Sequence, residues 1–90
     1  MSKGRWQVII HRKAERVLKR LDGDLLERIR QAIRGLATEP RPIGYKKLTG
    51  YENLYRVRVG DWRIIYAIED KQLIVLMLEF SPRGGSYRNL

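Results

Sequence analysis

Leu54-Tyr55-Arg56-Val57-Arg58-Val59-Gly60-Asp61-Trp62-Arg63-Ile64-Ile65-Tyr66 is the stretch that decides how this chain folds. Strand-forming residues run on both sides of Gly60-Asp61. A Gly-X pair between two such runs signals a tight hairpin, because glycine takes the positive φ that a primed turn requires. A two-residue loop sets Val59 opposite Trp62, Arg58 opposite Arg63, Val57 opposite Ile64 and Arg56 opposite Ile65. Side chains alternate faces along a strand. Val57, Val59, Trp62, Ile64 and Tyr66 therefore share one face, and Arg56, Arg58 and Arg63 share the other. Like charges set directly opposite each other disfavour a sheet. Arginines converging on one face are better explained by an anionic partner than by folding.

Upstream, Arg5 to Ile10 carries Trp6, Val8, Ile9 and Ile10 and reads as a first strand. His11 follows, either as a strand-to-helix junction residue or as a catalytic group, and no second histidine or cysteine is available to cooperate with it. From Lys13 to Leu21, Ala14, Val17, Leu18 and Leu21 recur at helical spacing. Asp22-Gly23-Asp24 breaks the pattern, with Gly23 suited to a helix end and Asp24 to the next cap. Leu25 to Leu36 is a second amphipathic helix, which makes a helical hairpin with the first. Its outer arginines, Arg28, Arg30 and Arg34, suit a solvated face, or a partner helix or RNA. Two prolines and a glycine make Thr38 to Gly44 a loop. Tyr45 to Gly50 is then a basic approach to the hairpin.

Downstream, Glu69-Asp70-Lys71-Gln72 reads as a turn. Leu73 to Phe80 is almost continuously apolar, and its short length and β-branched content favour a central strand over a buried helix. Ser81 to Leu90 is a tail carrying Arg83, Tyr87 and Arg88. The order strand, helix, helix, strand, strand, strand predicts an α+β two-layer domain over residues 1–90. In it, an N-terminal strand and a helical hairpin pack on one face of a mainly antiparallel four-stranded sheet. The helices should cover the valine-tryptophan side of the hairpin and leave the arginine side open.

The chain has 90 residues, net charge +9 and no cysteine. Disulfides and thiolate metal sites are excluded, and a lone histidine argues against a histidine-built one. The charge favours a polyanionic partner, namely nucleic acid, ribosome or an acidic protein, with a solvated basic surface as the plain alternative. No apolar run approaches the roughly 20 residues of a membrane span. The start lacks an apolar signal core. Both observations lead us to expect a cytoplasmic protein.

No Ser-His-Asp or Cys-His arrangement is available, and no Gly-rich loop leads into a helix. Glu52, Asp61 and Glu69 look like loop and turn residues. Glu79, at a strand end, is either a general base or the partner of a nearby arginine. What converges is Arg56, Arg58 and Arg63, followed by Arg83 and Tyr87 on the tail. A phosphodiester is a natural target. Cleavage of RNA by its own 2′-hydroxyl builds negative charge on a pentavalent phosphorane, which preorganised guanidinium groups stabilise. Tyr87 can stack on a base or help move a proton.

Lys47-Leu48-Thr49-Gly50, the run Leu54 to Tyr66, and the ending Pro82-Arg83-Gly84-Gly85-Ser86-Tyr87 resemble the RelE/ParE superfamily of toxins, in particular the archaeal-type RelE toxins. The resemblance spans essentially the whole chain, and the Arg83…Tyr87 ending favours RelE over ParE. It implies a RelE-like, microbial-RNase-like fold and a type II toxin–antitoxin pair. The implied activity is a ribosome-dependent endoribonuclease, an mRNA interferase that cuts mRNA in the A site and needs no metal or cofactor. By position, Arg56 and Arg58 match basic residues that hold or activate the scissile phosphate. Arg63 matches the arginine that stabilises the transition state, Arg83 the one near the leaving oxygen, and Tyr87 the tyrosine that stacks on the substrate base. Lys46, Lys47 and Arg88 are the expected contacts to RNA or ribosome. The two strand positions are lysine in the best-known bacterial member. Arginine is a much poorer proton carrier, which leaves Arg56 an electrostatic role. The implied partner is a RelB-like antitoxin, acidic and partly disordered, that covers the basic surface. A ParE-like poison of DNA gyrase and a relic that only binds antitoxin or RNA are the alternatives.

Overall fold

The computed structural model describes residues 6–69 and 71–80. The elements run β1 (Gln7–Ile10), α1 (Arg12–Leu18), α2 (Gly23–Thr38), β2 (Lys46–Lys47), β3 (Leu54–Val59), β4 (Trp62–Glu69) and β5 (Gln72–Phe80). They build one sheet in the order β1-β5-β4-β3-β2. Only β1 and β5 pair in parallel, and the other neighbours are antiparallel.

The β3–β4 hairpin closes in the expected register, with Val59 against Trp62, Arg58 against Arg63 and Arg56 against Ile65. Gly60 sits at φ +64°, the left-handed value that other residues adopt only with strain. The apolar side chains of this hairpin go under the helices. Ala14 of α1 and Ile29, Ile33 and Leu36 of α2 are buried with Tyr55, Ile64, Tyr66, Leu73, Val75 and Leu78 of the sheet. That is the two-layer α+β arrangement the element order implies, and among the described residues both helices lie on the side away from the arginine face.

Three expectations need correction. The sheet has five strands, because Lys46 pairs with Arg56 and Lys47 with Tyr55 in the segment expected to be an approach loop. Two lysines carry no apolar alternation, so only backbone pairing defines this strand. A short lysine-bearing edge also resists pairing with other chains. The N-terminal strand is itself a sheet edge beside β5, not a part of the covering layer. Lastly, α2 begins earlier than expected. Its N-cap is Asp22, which makes no side-chain cap bond, and Asp24 lies in the first turn, where its charge favours the helix dipole. His11 is the junction residue: it caps α1, with Nδ1 accepting from Lys13 N at 3.1 Å.

β4 and β5 are joined by a turn in which Lys71 takes φ +64° and Glu69 faces Gln72. Their register is interrupted once. Tyr66 faces Val75, but Ile65 faces Met77, so Leu76 is an extra residue in β5. Such a bulge reverses which side chains meet beyond it. No helix among the described residues is long and apolar enough to cross a membrane.

Candidate nucleic-acid interface

The open sheet face is divided. Toward the Glu69–Gln72 turn, β4 and β5 present Ala67 opposite Ile74, and Ile9 of β1 joins Ile74. Toward the Gly60 end it is charged. There the register lines up Glu79, Arg63 and Arg58 across β5, β4 and β3, with Arg56 and Lys46 paired one row back. Arg58 is exposed, and Arg56 and Arg63 are half-buried.

Burial lowers the pKa of the Arg56 guanidinium first, and the charges of Arg58 and Arg63 lower it further. These cations therefore act on one another, at the free-energy cost expected of like charges on one face. Arg63 Nη2 donates to Glu79 Oε1 at 2.9 Å, with the two side chains 33% and 38% exposed. Arg63 Nε is buried and has no acceptor among the described residues. An unmet buried donor costs about 1–3 kcal/mol.

The bulge at Leu76 makes the Arg63–Glu79 contact possible. Carried straight on from the Glu69–Gln72 pair, the register would set Arg63 against Leu78 and turn Glu79 to the helix side. With the bulge, Arg63 meets Glu79 and Ile64 meets Leu78.

Of the lysines expected at the RNA surface, Lys46 is in register with Arg56 and shares the arginine face, whereas Lys47 pairs with Tyr55 on the other face of the same edge. Arg83, Tyr87 and Arg88 lie outside the described residues. Two neighbours of the hairpin tip were not legible in the sequence. Arg28 of α2 comes so close that a Cβ on Gly60 would stand 3.3 Å from its Nη2. Trp62 and Phe80 stack obliquely at 5.5 Å, with Phe80 61% exposed.

The tyrosines at the opposite end are structural. Tyr45, Tyr55 and Tyr66 form a run of rings with centroids 5.8 Å apart at each step. Arg41 lies over Tyr55 at 5.4 Å. Tyr66 OH donates to Pro40 O at 2.7 Å, which ties the loop after α2 onto the sheet. Burial is the main reason the Tyr66 phenol is pushed up to about 12.

Comparison with known proteins agrees with this architecture. Residues 8–87 match the family described as the ParE toxin of type II toxin–antitoxin systems, parDE. The chain belongs to the RelE/ParE toxin family. This toxin is 32% identical to a putative toxin RelE1 of Methanocaldococcus jannaschii over 88 residues, which cover 94% of the toxin and 98% of that relative. It is 31% identical to a toxin RelE of Mycobacterium tuberculosis, over 92% of its own length and 87% of that protein's. The archaeal RelE–RelB complex from Pyrococcus horikoshii OT3 contains a chain that superposes with a TM-score of 0.75 at 33% identity, covering 89% of the toxin and 97% of that chain.

Proposed function

We propose that this RelE/ParE-family toxin is a ribosome-dependent endoribonuclease that cuts mRNA in the A site and so stops translation. The observation that carries the reading is the row of guanidinium groups, Arg58 and Arg63 with Arg56 behind them, on the one sheet face that the helices leave bare. In this reading the 2′-hydroxyl of the A-site codon attacks its own phosphodiester. Arg56 and Arg58 hold the phosphate, and Arg63 stabilises the charge that builds on the phosphorane. Loss of one such donor costs an enzyme about 10²–10³ in rate. Arg83 serves the leaving oxygen, Tyr87 stacks on a base, and Lys46, Lys47 and Arg88 bind RNA or ribosome. Neither metal nor cofactor takes part.

The cognate partner is a RelB-like antitoxin. An open groove of about 390 Å³ offers it an apolar floor of Ile10, Leu18 and Ile33 and a rim on which Lys19, Arg30 and Arg34 outnumber Glu15. That chemistry suits an acidic amphipathic segment. The whole chain acts as one toxin domain in the cytoplasm, where its target is. The match to a family described by its ParE members favours one other reading, a gyrase poison without nuclease chemistry.

Mapping mRNA ends in a translating extract separates the two. Cuts phased to the A site, abolished by Arg63→Ala and by addition of a cognate antitoxin, support the nuclease. Intact mRNA together with inhibited supercoiling supports the gyrase poison.

A further inference from the structure

Transesterification by a 2′-hydroxyl must dispose of that hydroxyl's proton, and guanidinium groups are poor acceptors. We propose that Glu79 is the general base of the cleavage. The inference rests on the mRNA-cleavage reading above.

Glu79 is the one charged residue in β5, whose sequence is otherwise Gln-Leu-Ile-Val-Leu-Met-Leu-(Glu)-Phe. The Leu76 bulge turns it onto the arginine face, and the bond of 2.9 Å from Arg63 holds its carboxylate there. Bulges that re-aim one side chain are common beside active sites. Among the described residues, the competing groups are elsewhere. His11 Nδ1 is engaged by Lys13 N as the α1 cap. Glu27 pairs with Arg34 on the helical layer. Glu69 accepts from Asn53 at 2.9 Å, six residues along β4 from Arg63, or about 20 Å at the rise of a strand. Asp61 occupies the turn, beyond the paired rows.

Strands stand roughly 4.8 Å apart, so Glu79 and Arg58 flank Arg63 within about 10 Å across the sheet. Arginine carries five donors in a fixed fork. Arg63 can therefore hold Glu79 and a phosphoryl oxygen at the same time, which brings the 2′-hydroxyl of a phosphate seated on Arg58 and Arg63 beside the carboxylate. The carboxylate takes the hydroxyl proton as the 2′ oxygen bonds to phosphorus. The P–O5′ bond breaks, and the departing 5′ oxygen takes a proton from water. The products are a 2′,3′-cyclic phosphate and a 5′-hydroxyl, and Glu79 returns its proton to solvent.

A merely structural Glu79, there to offset the arginine charges, predicts different kinetics. The test is single-turnover cleavage by the full-length toxin on purified ribosomes programmed with one defined A-site codon, measured across neutral pH, with thermal melts to confirm folding. The wild type should show a flat rate. Glu79→Gln should cut about 10²–10⁴-fold more slowly, with a rate rising about tenfold per pH unit as hydroxide takes over as the base. Glu79→Asp should keep the flat profile at reduced rate, and it serves as the probe if the glutamine variant does not fold. A Glu79→Gln rate within threefold of wild type, or a slow rate with the wild-type pH profile, overturns the proposal. Wild-type toxin that leaves the mRNA intact refutes instead the reading on which it rests.

Discussion

Replacing Arg56 by glutamine should make this toxin more stable and less active. Arg56 faces Lys46 across β2–β3 and shares its face with Arg58 and Arg63. Its lowered pKa reports desolvation and then those two arginines. A base whose folded pKa lies below its unfolded value opposes folding while it is charged, which for arginine covers all ordinary pH. Guanidinium groups that splay to ~8 Å repel by about 0.5 kcal/mol per pair in water. With three cationic neighbours and screening at physiological salt, the relief on removal is roughly 0.5–1 kcal/mol. For a chain of this size that raises the melting temperature by about 2–8 °C. Thermal unfolding followed by circular dichroism should show this gain at low salt, and the gain should shrink as salt rises. A-site cleavage by the same variant should fall by about 10²-fold. A melting temperature that drops at low salt, or a gain indifferent to salt, would refute the view that this face is under electrostatic strain.

Two further perturbations probe the scaffold. Tyr66 titrates near 12 instead of the usual 10.0. The folded protein therefore keeps its proton after the unfolded chain has lost it. The stabilisation is complete below pH 10 and is lost between about pH 10 and 12, a difference of roughly 3 kcal/mol at about 1.4 per unit. Urea unfolding against pH should show that decline, and Tyr66→Phe should flatten it. Gly60→Ala should cost about 1–2 kcal/mol, because Gly60 holds φ +64° and the new Cβ meets Arg28 at 3.3 Å. Gly60→Asn should recover part of the loss, since asparagine tolerates the left-handed region, and scanning calorimetry of both variants checks the order.

The hairpin was legible because two signals agree there: apolar residues alternate with arginines, and Gly60 supplies the turn. The covered face followed from the same alternation, since helices built around Ile29, Ile33 and Leu36 need an apolar partner. What was hidden lacked a periodic signal. Lys46-Lys47 joins the sheet through backbone bonds alone. The run Leu73 to Phe80 is apolar at nearly every position, so it cannot show that Leu76 is the extra residue. The partner of Arg63 depends on that residue, and so Glu79 had two possible roles in the sequence. Arg28 reaches the hairpin tip although it lies more than thirty residues upstream of Gly60. Its helical spacing marks it only as an outward cation.

In the proposed function the open arginine face does chemistry on ribosome-bound mRNA. The most direct measurement is analysis of the cut ends produced by purified toxin on a defined ribosome–mRNA complex, wild type against Arg63→Ala. Wild-type toxin should make a single break within the A-site codon, leaving a 2′,3′-cyclic phosphate on the upstream fragment and a 5′-hydroxyl on the downstream one, and the variant should not cut. Uncut mRNA with wild-type toxin, or equal cutting by Arg63→Ala, would contradict the proposed function.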